Sequence, residues 1–346
     1  MTSSYRAPSA ESFPDGDREV LAKCWHPVAL SDAVKADAPH AVRLLDQDVV
    51  LYRAQEGLVA APDLCPHRGA SLSLGKMRDG RLECPYHGYR YDGVGRCVLI
   101  PAHPGAPIPS KLALRRFETT ERYGLIWVCL DPPASFAVPE FPAFRRDGFQ
   151  VIPLPPFDWA CSAGRQIEAI ADVAHFPFVH PSSFAAGDSR VSAIDVTVPS
   201  PGVIHADFTS RVANRNDRAA AEFAWRRVYD LSLPFTIQVD ITFPDEGTLV
   251  IFNACSPTSA FQTRVFSIVS KNFGLEQPAL EVIDFQMKVY GEDQRVVERQ
   301  SPKFLPLDLR EEVHVKADRI SVEYRRQLAR LGLGRALHLE EEWIQR

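Results

Sequence analysis

No run of about eighteen consecutive apolar residues occurs in this 346-residue sequence, which argues against a transmembrane helix. Blocks of lysine and arginine are also missing. With 39 basic against 44 acidic side chains the net charge is -5, so there is no electrostatic footprint for nucleic acid or for an anionic membrane. The opening residues, MTSSYRAPSAESFPDGDREV, lack the apolar core of a secretory signal and are broken by Pro8 and Pro14. Residues 1–20 read as a loose arm, and the expected location is cytoplasmic. Seven cysteines, odd in number and irregular in spacing, exclude a secreted disulfide framework. The dinucleotide fingerprint G-x-G-x-x-G is absent too, so any use of NAD(P)H has to pass through another protein.

What remains is a composition of 45% hydrophobic and 24% charged residues, enough for a substantial core and for two domains. Two cysteines stand apart from the rest. In CPHRGASLSLGKMRDGRLECPYHG, residues 65–88, Cys65 and His67 are one residue apart, Cys84 and His87 are two apart, and sixteen residues separate the pairs. A zinc finger presents two thiolates and then two imidazoles, whereas here the order alternates Cys, His, Cys, His. Alternation suits Rieske [2Fe-2S] ligation, in which one iron takes both thiolates and the other both imidazoles, each loop supplying one ligand to each iron. Pro66 and Pro85 fix the backbone after each cysteine, and Gly69 and Gly88 permit the tight turn that follows. A structural zinc knuckle is the competing reading, and it leaves this matched punctuation unexplained.

A second constellation lies in IEAIADVAHFPFVHP, residues 167–181, with Asp172, His175 and His180. Asp172 and His175 would share a helix face, but His175 and His180 are five residues apart and would splay on a continuous helix. Pro177 disfavours helix at Phe176 and lets the chain bend so that the two rings converge. Two imidazoles and one carboxylate with open positions form the facial triad of non-heme Fe(II) oxygenases. On the residues alone, Asp172 could be that carboxylate.

Taken together, these residues resemble the Rieske non-heme iron oxygenases. Ala70 and Tyr86 stand where Rieske proteins of respiratory complexes carry extra cysteines, which favours the oxygenase branch. The likeness runs from KCWHPVAL through IPAHPGAPIPSK and ERYGLIWVCL to EEVHVKADRISVEYRRQLARLG. Within the family it looks nearest to oxygenases of the methylxanthine N-demethylase and alkaloid hydroxylase kinds. The resemblance implies that Asp172 is a bridge and not a ligand, hydrogen-bonded to His175 and to His87 of the neighbouring subunit in a homotrimer. It further implies that the third iron ligand is Asp293, in LEVIDFQMKVYGEDQRVVERQ, residues 280–300, giving His175, His180 and Asp293 on a mononuclear Fe(II). A ferredoxin, a flavin reductase or both would supply the electrons. One departure stands out: relatives often carry asparagine where this chain has Ala169, with Glu168 before it.

The expected fold is α+β. An N-terminal antiparallel β Rieske domain covers 21–153, with strands in AVRLLDQDVVLYRA, LVAAPDL, RLECPYHGYRYD and LIWVCL, and the proline-dense DPPASFAVPEFPAF connects it onward. A catalytic domain, 154–346, carries a central antiparallel sheet flanked by helices in a helix-grip-like arrangement. Phe223, Trp225, Phe235, Phe243, Phe252 and Phe285 are candidates for a flat apolar pocket, or plain core. Gln286 lies two turns before Asp293 on one helix face and is a candidate contact for a small-molecule substrate. Amphipathic helix is expected across EEVHVKADRISVEYRRQLARL, with Val313, Ile320, Tyr324 and Leu328 on its apolar side. His26, His40, His103, His205, His314 and His338 read as ordinary surface or core histidines, and Cys24, Cys97, Cys129, Cys161 and Cys255 as small buried side chains. The expected activity is hydroxylation with O2 and external electrons, N- or O-demethylation being one form of it. Aromatic cis-dihydroxylation and a Rieske electron carrier without oxygenase activity are the alternatives.

Overall fold

The structure is a computed structural model that describes residues 13–14, 16–184, 189–210, 225–243 and 247–334. The chain divides into two compact units, Leu21–Val138 and Pro139 onward, the described residues before Leu21 grouping with the second. The division falls inside the proline-dense connection and ahead of the expected boundary at 153. Gln150–Pro153 is already a strand of the second unit's sheet, so the residues leading into it belong there. The arm expected over 1–20 lies mostly outside the described residues, but its end is helical: helix α1 spans Asp17–Ala22.

The first unit is built from ten short strands: β1 (His26–Leu30), β2 (His40–Leu44), β3 (Gln47–Ala54), β4 (Gly57–Pro62), β5 (Lys76–Arg78), β6 (Arg81–Glu83), β7 (Arg90–Tyr91), β8 (Cys97–Leu99), β9 (Glu118–Arg122) and β10 (Leu125–Cys129). They pair antiparallel in three small sheets, β1-β10-β9, β2-β3-β4 and β5-β6-β7-β8. Val50, Tyr52, Val59, Ala61, Leu72, Leu82 and Tyr91 form one buried cluster, and Cys65 and Cys84 are part of it. That core fixes the roots of two loops, one between β4 and β5 and one between β6 and β7, which carry the Cys/His pairs.

In the second unit, eight further strands make a single antiparallel sheet: β11 (Gln150–Pro153), β12 (Phe157–Trp159), β13 (Asp195–Ser200), β14 (Val203–Ser210), β15 (Trp225–Ser232), β16 (Thr236–Phe243), β17 (Gly247–Ser259) and β18 (Gln262–Lys271). The order is β11-β18-β17-β16-β15-β14-β13, with β12 also paired to β18. Four helices accompany it: α2 (Ala163–Ala171), α3 (Phe176–Val179), α4 (Ala279–Val297) and α5 (Arg319–Leu331). The α+β arrangement, a Rieske β unit followed by a helix-flanked antiparallel sheet, is as expected. α4 is held to the sheet by Tyr290, whose hydroxyl lies 2.9 Å from Ser267 Oγ and donates to Asn253 Oδ1 at 3.2 Å.

Two local expectations are corrected. The helix toward the C-terminus begins only at Arg319, and Val313, placed on its apolar side, is 93% exposed ahead of it. Pro177 does not exclude helix at Phe176. The chain bends earlier, at extended Asp172, and Pro177 lies in the first turn of α3, where its missing N–H has no intrahelical partner to lose.

Candidate active site

The two Cys/His loops share one backbone pattern. Gly69 N–H donates to Cys65 C=O and Cys65 N–H to Ala70 C=O at 2.9 and 2.8 Å; Gly88 to Cys84 and Cys84 to Tyr89 repeat this at 3.1 and 2.8 Å. Gly69 and Gly88 take φ of +71° and +70°, the left-handed region where a side chain is strained. The matched loops bury both thiols and leave His87 exposed and His67 half-exposed. His67 and His87 turn Nδ1 toward each other at 3.2 Å. Two nitrogens about 2.1 Å from one tetrahedral metal ion would be about 3.4 Å apart, so the imidazole pair fits a single iron. Burial pushes the Cys84 thiol up, and the neighbouring Cys65 thiol adds to this. Tyr91 hydroxyl lies 3.2 Å from Cys65 Sγ. Thiol with thiol and imidazole with imidazole is the division that a two-iron cluster with mixed ligands requires.

In the second unit, Ser162 caps α2, which ends at Ala171, and Asp172 accepts from Ala174 N–H at 2.7 Å to make the bend. His175 and His180 then flank the single turn of α3, and Asp293 faces them from α4. Among the described residues these three form the one group of metal-binding side chains that converges closely. His175 Nε2 is 3.2 Å from His180 Nε2 and 3.3 Å from Asp293 Oδ1, and His180 Nε2 is 2.9 Å from Asp293 Oδ1. One face of an octahedron with bonds of about 2.1 Å has edges of about 3.0 Å, so this triangle fits one metal ion with an open side. Asp172 is not a corner of it. Its Oδ1 is 3.9 Å from His175 Nδ1, longer than the expected hydrogen bond, because Ala174 N–H holds that oxygen.

Glu292, which the sequence offered only as a neighbour of Asp293, accepts from His180 Nδ1 at 2.8 Å and from Ser183 hydroxyl at 2.6 Å. It therefore fixes His180 with Nε2 free to face the triangle. The rule that a metal-bound histidine is oriented by a carboxylate was the available signal. Although burial opposes charge on both groups, the contacts between them win: the Asp293 carboxyl is held below its usual range and the His180 imidazole above its own.

Two cavities meet at the triangle. The larger, about 530 Å³, has a floor made from the sheet and a roof made from α4. Strand register puts Tyr229, Val239, Ile251 and Val269 in one row of that floor and Arg227, Ile241, Leu249 and Lys271 in the next. Val282, Phe285, Gln286, Val289, Tyr290 and Asp293 cover it at helical spacing. Trp225, Phe243 and Phe285 do line it; Phe235 and Phe252 do not, and Phe223 lies outside the described residues. Phe252 follows Ile251 and so faces the other side of β17, where it stacks on Phe141 at 4.7 Å. Gln286 is buried in this cavity. Arg227 and Lys271 are buried cations that sequence reasoning missed.

The smaller cavity, about 390 Å³, is polar and contains Asp172, His314, Glu168, Arg165 and Arg325. His314 was read as ordinary, yet it borders this space. Ala169, His175 and Asp293 line both cavities, so the small side chain at 169 marks where they meet.

Family models match both units: a Rieske [2Fe-2S] domain over residues 24–118 and a vanillate O-demethylase oxygenase C-terminal domain over 159–333. The second match overturns the reading as an electron carrier alone. Methylxanthine N1-demethylase NdmA of Pseudomonas putida is 35% identical over 332 residues, 93% of this chain and 92% of that one. The oxygenase component of dicamba O-demethylase from Stenotrophomonas maltophilia is 30% identical over 79% of this chain and 85% of that one. NdmA solved with caffeine superimposes with a TM-score of 0.82 at 33% identity, covering 90% of this chain and 91% of that one. On the strength of that likeness across both units, the chain belongs to the Rieske oxygenases, monooxygenases that carry a [2Fe-2S] cluster and a mononuclear non-heme iron.

Proposed function

We propose that this enzyme is a demethylating terminal oxygenase: it hydroxylates a methyl group borne on nitrogen or oxygen of a small aromatic or heterocyclic compound, and the carbinol releases formaldehyde. One O2, two electrons and two protons convert R–CH3 to R–CH2OH and water. The observation that carries this reading is the 530 Å³ cavity, apolar along most of its walls, that ends at His175, His180 and Asp293. Relatives named as N- and O-demethylases support it.

In this reading Cys65, His67, Cys84 and His87 hold the cluster, and His175, His180 and Asp293 hold the iron. When bound, the iron supplies O2 activation and the cluster supplies electrons singly. This chain's own residues do the rest. Glu292 orients His180, the largely apolar floor excludes water, and Gln286 offers the substrate an amide. Asp172, half-exposed in the polar cavity, bridges toward the cluster of a neighbouring subunit in a homotrimer. A ferredoxin or a flavin reductase delivers the electrons from NAD(P)H, and bacterial relatives favour a cytoplasmic location.

The test is a product screen under O2 with a generic reductase and a panel of N-methyl and O-methyl arenes. Formaldehyde equal to substrate consumed is expected. A diol retaining both oxygens of O2 would replace demethylation with cis-dihydroxylation.

A further inference from the structure

We propose that Arg227 is a specificity-determining residue that binds a carboxylate on the substrate, so that the enzyme acts on aromatic or heteroaromatic acids and not on neutral heterocycles. This rests on the oxygenase reading above and deepens it.

Arg227 is 3% exposed and lines the main cavity. Its guanidinium carbon lies 5.0 Å from the ring centre of Phe176, 5.8 Å from Phe184 and 5.9 Å from Trp225. Phe176 packs edge-on against His175 at 4.9 Å, and Phe184 stacks on His180 at 4.7 Å. The cation is therefore one ring away from the metal-binding histidines. Ser210 Oγ accepts from Nε at 2.7 Å, and the buried Tyr229 hydroxyl is a second neighbour. No carboxylate among the described residues pairs with it.

Lys271 makes the contrast. It ends the same row of the floor, three strands away and hence about 14 Å from Arg227. Gly274 C=O and Gln277 Oε1 accept from its ammonium at 2.7 and 3.1 Å, and Gln277 in turn donates to the Glu281 carboxylate at 3.4 Å. The cation at that end is supplied with acceptors by the protein. At the Arg227 end, a buried guanidinium faces aromatic rings with no anion among the described residues, an arrangement that costs stability unless a ligand completes it. The planar fork matches a carboxylate bidentately, and an apolar enclosure strengthens the pair. With the acid held there, the opposite edge of a ring extends between Ile241, Leu249 and the α4 roof, and methyl substituents are presented toward the histidines.

Calorimetric titration of the intact oxidised protein, without reductant, measures binding independently of turnover, so failed catalysis and failed recognition are told apart. The probes are 3-methoxybenzoate, its neutral amide and caffeine. In the wild type the acid is expected to bind at least about tenfold tighter than the amide. In Arg227→Met that ratio is expected to collapse toward one, and in Arg227→Lys to fall between, with the visible spectrum of the cluster reporting an intact fold. A wild-type protein that binds the amide or caffeine as tightly as the acid, or binds no acid at millimolar concentration, overturns the proposal even if neither variant folds. So does an acid preference that survives in Arg227→Met.

Discussion

At the scale of single residues, Asp172 illustrates how one carboxylate is kept out of a metal site while remaining beside it. It follows the last turn of α2 in extended conformation, and its Oδ1 is held by Ala174 N–H, so it stands 3.9 Å from His175 instead of joining the triangle. That position leaves it beside His175 and available on the polar side. Asp172→Asn is expected to keep about three irons per chain while coupled turnover falls by about 10- to 100-fold or more. Turnover of the purified variant at the wild-type rate would remove the bridging role. Glu292 contacts the other histidine directly and fixes the His180 ring from outside the triangle.

At the scale of elements, the site depends on how α2, α5 and the segment before α5 are clamped. Arg325 of α5 donates to Glu168 of α2 through Nε and Nη2 at 2.6 and 2.8 Å and to Glu312 at 2.5 Å. Arg165 joins the same group, donating to Glu312 at 2.6 Å and to the Phe304 and Pro302 carbonyls. Both arginines are nearly inaccessible, so removing one partner strands a buried charge. Arg325→Met is expected to lower unfolding free energy by about 3–5 kcal/mol in urea titration. A double change with Glu168→Gln should recover part of that, since Arg165 then balances one carboxylate, Glu312, instead of two. Unchanged stability in the single variant would mean that the network does not hold α2. Glu168 and Ala169 are adjacent, and they divide the labour: the first anchors the helix, the second leaves room where the two cavities meet.

For the whole molecule, the chemistry needs electrons and a route by which they reach the iron. A homotrimer should elute in gel filtration at three times the 38.6 kDa of one chain, and an active monomer would count against the intersubunit route. Chelation of ferrous iron should remove about one of three irons, abolish turnover and leave the cluster's visible spectrum in place, because the cluster is a single unit anchored on one side by the buried Cys65 and Cys84 thiolates. Loss of both signals together would mean that the two centres are not separate.

The sequence by itself determined the chemistry that is local. Cys65, His67, Cys84 and His87 were legible because loop ligands with proline and glycine punctuation carry their geometry in their spacing. Strands such as Gln47–Ala54 were legible because a short apolar run bounded by turn residues marks a buried strand, and helix Ala279–Val297 was placed by the family resemblance. The two compact units divide fifteen residues ahead of the expected boundary, since a short strand such as Gln150–Pro153 declares its sheet only through its partner. Tertiary structure alone decided which face each residue serves. Glu292 and Asp293 are neighbours on α4, yet one stands behind His180 and the other completes the triangle, a choice set by about 100° of helical rotation. Arg226 and Arg227 are adjacent residues of one type. Register sends Arg226 outward to Asp207 at 2.6 Å and Arg227 into the cavity, because successive side chains on a strand point to opposite faces and only the packed sheet says which face is inside.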